Sequence, residues 1–175
     1  MIHRTGATLF EVLIVLVILS VLALLAVPGF KGFSTKKDLY RQAEELSGIC
    51  CQVRLNAMRD GTTWRVVFSP DQQEYACFRD ENGNGQLDAG ELCMGPSSLN
   101  RGLWFGCQAP DGPNHTKLPA DGVSFVNNRV SFSPMGTCNA GTIYLRSNRD
   151  SLAMRVLPAS GSILLYVYDE GWKEL

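Results

Sequence analysis

The chain has 175 residues, 45% of them apolar, and 16 Lys plus Arg against 17 Asp plus Glu. That length builds one domain with a real core and leaves little room for a second, and the balanced charge excludes a strongly basic binder of nucleic acid or anionic lipid. Ordinary usage of glycine and proline, 17 and 8 residues, excludes a collagen-like or disordered chain, while six cysteines point to an oxidising compartment.

After Met1 to Gly6, the segment Ala7 to Val27 is apolar except for Thr8, Glu11 and Ser20, and the next Lys or Arg is Lys31. A helix rising about 1.5 Å per residue needs roughly 20 such residues to cross a bilayer, so this segment is long enough to span. His3 and Arg4 on the leading flank predict that this end stays cytoplasmic and the rest lies outside, in agreement with the cysteine content. A secretory signal peptide is the competing reading. Against it, the apolar run exceeds a usual h-region and no small-residue cleavage site follows cleanly.

Neither a signal peptide nor a plain anchor explains Glu11, because a carboxylate inside an apolar span is costly and needs a partner. A cut after Gly6 would give Ala7 a free α-amine on the same helical face as Glu11, and such an amine can pair with the carboxylate of a neighbouring subunit. Gly6 at the end of a leader, Glu11 as the fifth residue after it and Pro28 near the twenty-second resemble the type IV pilin and type II secretion pseudopilin family. Ala7 departs from the large apolar residue, usually Phe, that the family carries there. The resemblance implies cleavage by a prepilin peptidase, N-methylation at Ala7, anchoring in the bacterial inner membrane with a periplasmic β-domain, and packing with other pilin or pseudopilin subunits. In that scheme Glu11 aligns the incoming subunit.

Pro28 removes one helical hydrogen bond and predicts a kink before the glycine-bearing stretch Gly29 to Phe33. A soluble helix then resumes. Leu39, Ala43, Leu46, Cys50, Val53 and Ala57 recur at steps of four and three, forming one apolar stripe that can dock on a sheet. Asp38, Arg41, Glu44, Glu45, Arg54 and Arg59 make the polar face, and Gly61 after Asp60 reads as a C-cap.

From Thr62 the period changes. Thr63 to Phe68 and Glu74 to Arg79 read as strands joined by the turn Ser69-Pro70-Asp71. Later strands are expected at Val123 to Val126, Arg129 to Phe132, Thr142 to Leu145, Ser151 to Leu157 and Ser162 to Tyr168, with Asn127-Asn128 as a tight turn. Met94 to Pro119 holds most of the prolines and reads as an irregular insertion. The division is therefore 1–6 leader, 7–30 membrane or filament-core helix, 31–61 amphipathic helix and 62–175 β-domain. The fold class is α+β, with a long N-terminal helix packed on an antiparallel sheet domain. The runs Val130 to Gly136 and Gly141 to Leu145, the strand to Val156 and the turn at Gly161, with Arg54 to Arg59 before the first strand, are similar to the GspH/FimT branch of minor pseudopilins and pilins. Ser162 departs from the Arg often found there.

A second chemical signal is the run Asp80 to Glu91. Asp80, Asn82, Asn84, Asp88 and Glu91 stand at loop positions 1, 3, 5, 9 and 12, with Gly85 at 6 and the Gln86 carbonyl at 7, which is a calcium-loop pattern. A hard cation needs oxygens converging on one point and a glycine for the sharp turn. A polar turn without metal is the alternative, and no entering helix precedes the run, so an EF-hand sensor is excluded. Only Asp80 and Glu91 are charged among positions 1, 3, 5 and 12, which predicts a weak, extracellular class of site. Cys77 and Cys93 bracket the loop and are the first candidate disulfide; Cys107 and Cys138 follow by elimination, although sequence cannot choose among connectivities. A zinc site lacks paired Cys-x-x-Cys knuckles.

Enzyme chemistry is not expected: His3 and His115 lie in the leader and the insertion, and phosphate-loop and dinucleotide fingerprints are absent. No cofactor is required, and calcium is the one ion the loop pattern offers a place to. Arg146 and Arg149, with Arg155, form a small basic cluster that could touch DNA phosphates or be a solvated face. The resemblance and the helix pattern together predict a minor subunit of a type II secretion pseudopilus or type IV pilus. A DNA-capturing minor pilin and a calcium-dependent binding domain are the alternatives.

Overall fold

The computed structural model describes the backbone of residues 9–175, and the side chains of that range outside 23–34. Gly6 and Ala7 lie outside the described residues, as does the side chain of Pro28. The chain divides into two compact units, residues 1–36 and 37–175, and one helix, α1 (Leu9–Asp60), contributes to both.

In the first unit, the apolar residues from Leu9 to Leu22 are exposed on every side of the helix, from 42% at Ile14 to 87% at Leu9. Glu11 stands among them. Among the described residues, no helix is long and apolar enough to cross a membrane.

The second unit has an ordinary core. Leu39, Ala43, Leu46, Cys50, Val53 and Ala57 are all fully buried, as the spacing of the stripe requires. The helix ends at Asp60, where Gly61 takes a φ of +65° that a β-carbon would disfavour. Asp60 then joins helix to sheet by accepting the Trp64 indole N–H at 3.0 Å.

Two antiparallel sheets follow. The first has the order β3 (Cys93–Ser98), β2 (Glu74–Asp80), β1 (Thr63–Ser69), β5 (Arg129–Phe132). The second runs β4 (Trp104–Phe105), β6 (Gly141–Arg146), β7 (Ser151–Val156), β8 (Ile163–Tyr168), β9 (Trp172–Glu174). Alternation on β1 sends Trp64, Val66 and Phe68 into one core with the helix stripe, Phe132, Ile143, Leu152 and Met154. Three polar contacts fix the helix over this core: Arg54 Nε donates to the Gly136 carbonyl at 2.9 Å, the Asn100 N–H to buried Gln42 at 2.8 Å, and the Tyr75 hydroxyl to Glu45 at 3.2 Å.

The α+β architecture is as expected, with three corrections to its elements. The insertion at 94–119 is not wholly irregular, since β3 begins at Cys93 and β4 lies at Trp104–Phe105. The strand expected at Val123 to Val126 reduces to a single bridge, Val123 to Ile143, before a short 3-10 turn at Val126–Asn128. Asn127 and Asn128 do turn the chain there, both at positive φ. The strand β9 at the C-terminus was not anticipated.

Candidate functional site

The run Asp80 to Glu91 connects β2 to β3 and folds over the outer face of the first sheet, where Gly85 and Leu87 cover a hollow of about 250 Å³ beside Phe78. Asp80 closes β2 with its side chain fully buried. Its Oδ2 accepts the Gly85 N–H at 3.0 Å and the Arg65 guanidinium at 2.5 Å. Its Oδ1 is buried without a hydrogen-bond partner, which costs about 1–3 kcal/mol for an ordinary polar atom and more for a charged one.

The rest of the loop is held by its own side chains. Asn82 Oδ1 accepts the Asn84 N–H at 3.0 Å, and Asn84 Oδ1 accepts the Gln86 N–H at 2.6 Å. The amides of Asn82 and Asn84 both donate to Asp88 Oδ2, and these bonds hold its carboxyl below the usual carboxylate range. Glu91 spans the ends of the loop, accepting the Glu81 N–H at 2.9 Å and the Asp88 N–H at 3.1 Å. Arg129 on β5 donates to the Gly85 carbonyl. Among the described residues, no three His, Cys, Asp or Glu side chains converge as a ready-made metal site.

Sequence reasoning missed the part played by Arg65 and Arg129. Arg65 sits on the outer face of β1, opposite Phe78 and Ser131, and the pairing of Thr63 with Asp80 puts the buried carboxylate one step away on the same face. Alternation from buried Trp64 and Val66 was the available signal.

The six cysteines, those of the expected Cys77–Cys93 and Cys107–Cys138 pairs among them, stand as free thiols in the structure. Register supplies a reason for the first pair. Cys93 lies across from Phe78 and Cys77 across from Met94, so alternation sends the two side chains to opposite faces of the sheet. Burial and then the neighbouring Cys93 push the Cys77 thiol up to about 12, and burial raises Cys50 further. Cys138 donates to the Leu157 carbonyl at 3.4 Å.

The basic cluster is largely engaged. The Arg146 guanidinium lies 5.4 Å from the Trp104 ring centre, and that of Arg155 lies 5.7 Å from Tyr166 while donating to the Pro113 carbonyl. Arg149 is exposed in the turn between β6 and β7. His115 is exposed too, and its Nδ1 meets the Asp111 carboxylate at 2.5 Å rather than a hydroxyl or thiol nucleophile.

The family described as type II transport protein GspH matches residues 42–161. Two solved structures of the minor pseudopilin EpsH from the type 2 secretion system of Vibrio cholerae are similar to the chain, at 13% and 14% identity with a TM-score of 0.49 for each. Both cover 74% of this chain, and 97% and 94% of their own. No curated protein sequence matches. The matched region takes in the helix stripe from Gln42 onward, both sheets through β7 and the turn at Gly161, and the chain belongs to the GspH family of type II secretion pseudopilins.

Proposed function

We propose that the chain is a minor subunit of a type II secretion pseudopilus, made as a membrane-inserted precursor, cut after Gly6 and assembled with other pseudopilins through the first part of α1. The observation that carries this reading is the exposed apolar surface from Leu9 to Leu22. A helix apolar on all sides is a buried helix, in lipid or among other helices. The described apolar stretch, Leu9 to Leu22, rises about 21 Å at 1.5 Å per residue. Membrane spanning in this reading also draws on the flanking sequence Ala7 to Val27. Glu11, acidic in the first helical turn, is the side chain that a free amine of a neighbouring subunit would meet.

The test is the intact mass and N-terminal peptide of the full chain made with an active prepilin peptidase and the remaining pseudopilins. A chain beginning at methylated Ala7 that co-isolates with those subunits, and a Glu11→Ala variant that is cut but no longer co-isolates, is the expected result. A chain still beginning at Met1, or a Glu11→Ala variant that assembles as well as the parent, contradicts it.

A further inference from the structure

We infer that the loop Asp80 to Glu91 binds a calcium ion, with Asp80 Oδ1 as its buried ligand. Two independent observations meet at this loop. Asp80, Asn82, Asn84, Gln86, Asp88 and Glu91 offer oxygens at the spacing that a hard cation of high coordination number uses. Separately, the fold leaves Asp80 Oδ1 buried and unpartnered while Oδ2 is satisfied by the Gly85 N–H and Arg65. The Gly85 bond ties the same carboxylate to the loop, and Asp80 is the loop's first position. A buried oxygen with no donor is satisfied by a cation as well as by a proton donor.

The remaining ligands are close to hand. Asn82 and Asn84 accept one backbone N–H each through Oδ1, and a carbonyl oxygen keeps a second lone pair. Glu91 already lies across the loop with its two oxygens on Glu81 and Asp88, and each retains capacity for an ion. Asp88, now accepting from the two Asn amides, exchanges those bonds for the cation directly or through water. Arg65 offsets part of the charge of Asp80. With two neutral amides among the ligands, affinity falls in the weak extracellular class, about 0.1–1 mM.

The experiment is a titration of the folded full chain in detergent with calcium chloride, read both as heat and as the amide NMR shifts of Gly85 and Gln86. Saturable binding in the range of about 0.1–1 mM, with shifts at those two amides and at least a tenfold loss of affinity in both Glu91→Gln and Asp80→Asn, is the expected result. Glu91→Gln leaves the buried Arg65–Asp80 pair in place, so its loss of binding is separable from misfolding. No heat and no shift with folded parent chain at about 10 mM calcium overturns the proposal, as does binding that persists unchanged in folded Glu91→Gln.

Discussion

The two described parts of α1 are both rich in large apolar residues, and they differ in where those residues lie. Between Leu39 and Ala57 one stripe, Leu39, Ala43, Leu46, Cys50, Val53 and Ala57, is fully buried against the chain's own sheets, while the opposite face is largely polar and Leu55, off the stripe, is 63% exposed. Between Leu9 and Leu22 the apolar residues surround the helix, and they remain exposed. The contrast shows that pattern, not hydrophobicity alone, decides whether a helix packs on its own domain. A stripe can be covered by one sheet, whereas an all-round apolar surface needs lipid or several neighbours.

The largest effects should come from the buried part. Leu39→Ala and Leu46→Ala remove fully buried side chains and should each cost about 2–5 kcal/mol of folding free energy, measured by denaturant unfolding in detergent. Loss of no more than about 0.5 kcal/mol at both sites would dissolve the distinction between the two parts, since that is the range of surface positions. Arg54→Ala should follow at about 1.5–3 kcal/mol, because its guanidinium holds the Gly136 carbonyl. Leu16→Ala, at an exposed position, should change that stability by no more than about 0.5 kcal/mol while reducing co-isolation with other pseudopilins.

Smaller effects should appear with pH. Cys50 and Cys77 have folded-state thiols raised above their ordinary value of 9.0, so the unfolded chain loses those protons first. Their contribution is complete below that value and is lost as pH rises toward the folded value of Cys77, about 12. Alkaline unfolding should therefore ease in that window, and a Cys50→Ala, Cys77→Ala double variant should flatten the dependence. In the same samples a thiol reagent should label exposed Cys51 and Cys93 well before Cys50 and Cys77. Smallest of all is Asp88, whose lowered folded value makes its contribution present above the ordinary carboxylate value of 3.8 and lost as pH falls through the folded one. The amide NMR signals of Asn82 and Asn84 side chains should report that loss.

Much of the second unit was legible because its periods are clean. The four-and-three spacing of the helix stripe, Gly61 as terminator and the β1–β2 hairpin all followed from local rules. The missed strands are those where local signal is poor. β3 reads Cys-Met-Gly-Pro-Ser-Ser, is wholly exposed and exists through its ladder to β2, while β4 and β9 have two and three residues. Val123 and Phe125 alternate into the core as a strand would, but the turn at Asn127 ends the run before a ladder forms. At the loop, the oxygen pattern was visible in order along the chain. The Arg65–Asp80 pair was not, because it depends on strand register across β1 and β2.

The division of α1 can be tested most directly by placing a photo-crosslinking residue at position 16 or position 46 of the full chain, in cells making the type II secretion machinery. We expect position 16 to give adducts with other subunits and position 46, fully buried, to give only products within the chain. Adducts confined within the chain from position 16, or intermolecular adducts from position 46 alone, would contradict the assignment of the first part of α1 to assembly and the second to the domain core.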